Sequence, residues 1–297
     1  MLIGIGNATK YVATITPSGV YLAVAHGSDA AASSTDGITW TASTLPSSSN
    51  WQSVTYGNGL FVTVGYGSDA AASTDGITWT ASTLPLSASW QSVTYGNGLF
   101  VTVSTSSDTA ASTDGITWTA STLPSYASWK SVTYGNGLFV AVAFYPDTAA
   151  TSTDGITWTA STLSSFLYST SVTYGNGKFV AVAFFSTDAA SSTDGITWTT
   201  IPLPSFGFWK SVTYGNGKFV AVATFSTDAV SSTDGITWTA STLPSLGFWQ
   251  SVTYGNGLFV TIGYYSNKAA SSTDGITWTA STLSSSANWQ SVTNSFA

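Results

Sequence analysis

One pattern of apolar and polar positions runs along almost the whole chain. In one copy it reads SVTY, then Gly57-Asn58-Gly59, then Leu60-Phe61-Val62-Thr63-Val64, a polar loop, the small residues 70–72, the turn Ser73-Thr74-Asp75-Gly76 and the segment ITWTAST. Asn-Gly between two β-rich runs is a strong hairpin signal, because both central residues of such a turn take positive φ. The run that follows is apolar at nearly every position, as in a strand covered on both faces. The last segment alternates, which puts Ile38 and Trp40 on one side and Thr39 and Thr41 on the other. No segment carries a 3.6-residue period. Each copy therefore predicts four short strands and no helix.

The copies recur at a fixed period. Their ITW tryptophans are Trp40, Trp79, Trp118, Trp158, Trp198, Trp238 and Trp278, spaced 39, 39, 40, 40, 40 and 40 residues apart. Four strands in such a unit, repeated, predict a β-propeller. A β-solenoid is the alternative, but its coils are shorter and a tight Asn-Gly hairpin suits a meander better. The expected fold is all-β: a seven-bladed β-propeller of four-stranded antiparallel blades, one domain over residues 1–297. YVATIT at Tyr11–Thr16 and WQSVT at Trp289–Thr293 compete for the innermost strand of the first blade. The second matches the repeat, so residues 289–297 are expected to close the ring, with 1–11 an N-terminal extension or extra strand. Joining the ends removes two exposed strand edges.

The motif STDGITW occurs seven times and resembles the Asp-box of the sialidase-type (BNR repeat) propellers, over essentially the whole chain. In that family the box is the turn between the third and fourth strands of a blade, and it is structural. The resemblance makes Asp36, Asp75, Asp114, Asp154, Asp194, Asp234 and Asp274 turn-formers. The chemistry agrees: an Asp carboxylate accepts backbone N–H bonds, the following Gly takes the strained φ, and the Trp is buried between blades. Sialidase activity rests on an arginine cluster and a tyrosine nucleophile assisted by Glu. This chain has neither Arg nor Glu.

Composition narrows the function. Charged residues are 6% of the chain, against roughly 25% in ordinary domains. A net charge of −7 without Arg argues against a nucleic-acid partner. No Cys is present, which excludes disulfides and thiolate metal sites. No long apolar run suggests membrane insertion, and the first residues lack the basic region of a Sec signal peptide. Single Asp residues on separate blades do not build a calcium cage, so no metal and no cofactor are expected. A glycoside hydrolase would need two carboxylates in different environments. The remaining Asp series, Asp29, Asp69, Asp108, Asp147, Asp188 and Asp228, is again near-repetitive. His26, the single histidine, reads as an ordinary loop residue.

Comparing the copies divides the molecule into two faces. YGNG and STDG, on one face, are nearly invariant. The second-to-third strand loops and the blade-linking loops, on the other, vary and gather aromatic rings in the later repeats. Loops on a rigid scaffold commonly carry function, and exposed rings suit sugar faces. The expected ligand-binding residues are Tyr126, Tyr145, Phe166, Tyr168, Phe185, Phe206, Phe208, Phe225, Phe248 and Tyr265. The expectation is a binding protein that is not an enzyme. Its resemblance is to repeat propellers of phage tail and receptor-binding proteins and of bacterial surface proteins. That implies a virion or cell-surface location, with a cell-surface glycan or protein receptor, and other virion proteins, as partners. An oligomer is compatible with this reading. The runner-up is a scaffold that docks another protein, as in the photosystem assembly propellers that share the box.

Overall fold

In the computed structural model the described residues are 19–163 and 168–296, and they form strands, turns and connecting loops without a helix. The repeat unit is plainest at Trp129–Gly135, Leu138–Ala143, Thr148–Ser152 and Thr159–Thr162, a four-stranded antiparallel sheet in sequence order. The first hairpin turns on Asn136 and Gly137 at φ 50° and 79°, the positive pair that an Asn-Gly turn requires. The second strand is covered on both faces, with Phe139, Val140, Ala141 and Val142 all fully buried.

Other repeats keep these pairings, but their strands do not end where a four-stranded blade would. Among the described residues the sheets have eight, four and nine strands. The reason lies in the loops. His26 pairs with Asn50 and Ser28 with Ser49, so the second-to-third strand loop is itself laddered to the linker through two bulges. The linker strand Thr41–Gly57 then runs without a break into the next repeat. The repeat that contains Tyr145-Pro146 stays at four strands among the described residues.

The ITW segment also departs from expectation. Ile38 is exposed while Trp40 is buried, and the strand begins only at Thr41. The N–H groups of Ile38 and Thr39 both donate to Asp36 Oδ1, at 2.8 and 2.7 Å, which holds these residues in the turn. All seven box isoleucines are exposed in the same way.

Neighbouring repeats are joined by packing and by hydrogen bonds. One core cluster pools Val101 and Val103 with Trp129, Phe139 and Trp158 of the following repeat. Ser92 Oγ accepts the N–H of Val132 at 3.1 Å, Ser131 that of Val172, and so on around the molecule. The circuit returns to its start through Ser251 to Val292 and Ser291 to Val54. The last strand, Trp289–Asn294, pairs antiparallel with residues 21–25. The segment Tyr11–Thr16 lies outside the described residues.

Candidate functional site

The strands Trp51–Gly57 and their equivalents run from the variable-loop end of the molecule to the Asn-Gly turns, so the two ends carry different chemistry. At the Asn-Gly end lie the aspartate turns. In each, the Asp Oδ1 accepts two backbone N–H bonds and a serine hydroxyl; for Asp114 these come from Ile116 at 2.9 Å, Thr117 at 2.7 Å and Ser112 at 3.0 Å. The turn glycine is required twice over. Gly115 has φ 70°, and a Cβ there would meet Val62 Cγ2 of the preceding repeat at 2.6 Å. The backbone N–H donors of Thr117 and Ile116 hold Asp114 at about 2, and Asp75, Asp154, Asp194, Asp234 and Asp274 are held there likewise. At Asp36 desolvation opposes the same bonds, and the net direction is still downward.

At the other end a funnel of about 560 Å3 opens on the variable loops. Each repeat contributes the second residue of its first strand: Gln52, Gln91, Lys130, Thr170, Lys210, Gln250 and Gln290. These positions lie 39 or 40 residues apart in the chain and meet only in the folded ring. Gln250 Nε2 donates to Gln290 Oε1 and Gln290 Nε2 to Gln52 Oε1, both at 2.9 Å. Lys130 Nζ donates to Gln91 Oε1 at 2.8 Å. The first residues of the loops wall the funnel: His26, Tyr66, Phe184, Thr224 and Tyr264. The sequence carries a signal for this site: one position changes between Gln, Lys and Thr, while the residue before it is Trp in six of the seven repeats and the residue after it is Ser in all seven.

The polar funnel is rimmed by rings. A chain of ring contacts runs from Tyr168 through Phe144, Phe184, Phe208, Phe225, Phe248 and Tyr265 to Tyr264, with centroids 4.2–6.3 Å apart. Phe185 and Phe206 join it at Phe208. His26 extends it, 6.4 Å from Tyr264 and 5.9 Å from Tyr66. So the histidine is part of the funnel wall, and burial lowers the affinity of its imidazole for a proton. Burial and a bond with Tyr265 push the Tyr264 hydroxyl up to about 12.

Of the rings singled out in the sequence, Tyr168, Phe185, Phe206, Phe208, Phe225, Phe248 and Tyr265 are brought together here. Tyr126 and Tyr145 are exposed, Tyr145 in the same loop as Phe144. Phe166 lies outside the described residues. The second loop position carries backbone strain. Phe185, Phe225 and Tyr265 sit at φ 61°, 59° and 54°, where the first two repeats place Gly27 and Gly67. All three rings project outward, 62%, 55% and 66% exposed. The second Asp series is spread among the loops: Asp108 accepts from Ser106 Oγ at 2.6 Å, and the backbone N–H groups of Asp188 and Asp228 donate to Ser186 Oγ and Ser226 Oγ.

Solved structures with the same course of the chain include a streptogramin B lyase (13% identity, TM-score 0.75, covering 82% of this chain and 86% of that one). The chain has the β-propeller fold. YCF48 bound to a D1 peptide is also similar (16%, TM-score 0.63, 80% and 84% covered), as is apo AztD from Citrobacter koseri (7%, TM-score 0.63, 93% and 98%). At these identities the likeness is one of fold. No family model matches the sequence, and no curated protein does. The lyase overturns one expectation: a propeller of this shape does carry enzymes, so the reading that this chain is not an enzyme does not stand.

Proposed function

We propose that this chain is a recognition propeller of the Asp-box type whose variable-loop face takes a cell-surface glycan or protein receptor. In this reading residues 1–297 are one domain of seven four-stranded blades, and residues 289–297 close the ring. The circuit of Ser–Val hydrogen bonds, which passes through every repeat once and returns, supports that count. The contact residues are Tyr126, Tyr145, Phe166, Tyr168, Phe185, Phe206, Phe208, Phe225, Phe248 and Tyr265, and the setting is a virion tail or a bacterial surface.

The observation that carries the proposal is the strain at Phe185, Phe225 and Tyr265. A bulky residue held at positive φ costs roughly 1–3 kcal/mol, and strain of this kind concentrates at binding sites. Glycine solves the same backbone problem in the first two repeats. Exposed rings return little to folding, but stacked on a partner each contributes about 0.5–1.5 kcal/mol beyond its area. The test replaces all three with Gly. Relief of strain offsets the lost ring contacts and the added freedom of the unfolded chain, so the melting temperature should change little. Binding to host cells or to a glycan array should be lost. Retained binding by the folded variant would refute the assignment of this face. A second reading, docking of a protein segment on the same surface, draws support from the peptide-bound YCF48 structure. A defined protein that co-purifies with the wild type and not with the Gly variant would favour it.

A further inference from the structure

Among the described residues the funnel is lined by two lysines and no carboxylate. Lys130 and Lys210 come from two repeats of the ring, 80 residues apart in sequence, and both side chains line the cavity. The remaining lining groups are Gln, Ser, Thr and aromatic side chains and His26. Lys130 Nζ has Gln91 Oε1 as a neutral acceptor, and its positive charge acts on Lys210 as a like charge. In a chain with thirteen Asp and six Lys, two lysines with no carboxylate among the described lining groups are a costly arrangement. Four of the seven repeats place a neutral Gln at the same position, so the ring itself does not require lysine.

We propose that Lys130 and Lys210 form the binding site for an anionic group, a carboxylate, phosphate or sulfate, that enters the funnel past the aromatic rim. The group supplies the negative charge that the funnel lacks. It accepts from the two ammonium groups, with Ser131 and Ser211 hydroxyls and the Gln91 amide also at the wall. Lysine ammonium groups recognise such oxyanions as point charges, without the planar fork that arginine offers. The inference rests on the proposed ligand face and narrows the ligand on it: a sugar or peptide that bears an acidic group, with its apolar surface against the rings and its anion in the funnel.

Burial, and then the charge of Lys130, lower Lys210 to about 8. Burial moves Lys130 in the same direction. The other titratable groups facing them are His26, Tyr66, Tyr264 and Tyr265. Anion binding needs the ammonium form, so affinity should weaken as the pH rises through about 8.

The experiment is calorimetric titration of the full chain with glucuronate, glucose and inorganic phosphate at low ionic strength, on the wild type and on Lys130→Gln/Lys210→Gln. Gln is the ring's own residue, so the variant should fold, and removal of two like charges should leave its melting temperature equal or higher. The wild type should bind glucuronate or phosphate at least tenfold more tightly than the double variant does. Glucuronate alone indicates an acidic sugar, and phosphate alone a phosphorylated group; either outcome supports the proposal. Equal anion affinity of wild type and variant, or no anion binding by the folded wild type, overturns it. The triple Gly variant separates the two readings. If it loses receptor binding but keeps the anion within a few-fold, both hold. If the wild type binds receptor but no anion, only the lysine site falls.

Discussion

Trp289→Ala tests how the two ends of the chain are held together. Trp289 is fully buried, in a cluster with Tyr21, Val260 and Ile262, and its indole N–H donates to Ser285 O at 3.0 Å. Its equivalent within the chain, Trp129, is buried as completely and donates to Ser125 O at 3.2 Å. A buried indole removes about 150–250 Å2 from water, worth about 4–6 kcal/mol at 25 cal/mol/Å2. Truncation to Ala, which keeps part of that, costs about 3–5 kcal/mol. If Trp289–Asn294 is an integral inner strand, the two variants should be destabilised alike, with a midpoint drop on the order of 10 °C each. Urea and thermal denaturation followed by far-UV circular dichroism measure the free energy and the midpoint of both variants. Trp289→Ala within about 1 kcal/mol of the wild type, beside a costly Trp129→Ala, would refute the reasoning and leave the strand dispensable.

Three further outcomes follow from the packing and the turns. The aspartate turns should make the protein acid-sensitive in a defined window: folded values near 2 lie below the usual 3.8, so their stabilisation is complete above pH 4 and is lost between pH 4 and about 2. A melting temperature flat across that window would contradict this. Asp114→Ala should cost about 1–2 kcal/mol in urea and leave receptor binding unchanged, because it removes acceptors from two backbone N–H groups at the end opposite the funnel. Gly135→Ala should cost about 1–3 kcal/mol through overpacking, since the new Cβ would run into the Tyr174 ring of the next repeat; a neutral result would mean that the repeats are less tightly seated.

The sequence by itself determined what is local and periodic. The Asn-Gly pairs turn with positive φ at both residues because so few residues tolerate that geometry. The apolar run of each second strand is buried on both faces, as its composition requires. Asp, Gly and Ser at fixed spacing form a turn whose donors lie within three residues, so no distant contact was needed to read it. The comparison of copies separated an invariant end from a variable one, and the exposed rings at the variable end were legible as loop residues.

What the tertiary structure decided is what depends on residues far apart in the chain. Ile38 was read as a strand position because alternation says nothing about which N–H groups a nearby carboxylate takes, and Asp36 takes both. Strands that run on into the next repeat, merging blades into eight- and nine-stranded sheets, depend on loop-to-linker pairing across two bulges. The funnel is the clearest case. Gln52, Gln91, Lys130, Thr170, Lys210, Gln250 and Gln290 are each an unremarkable polar residue beside a buried neighbour. Only closure of the repeats about a common centre lines one funnel with all seven and brings Lys130 to Gln91, Gln250 to Gln290 and Gln290 to Gln52, and only there does the charge of Lys130 act on Lys210.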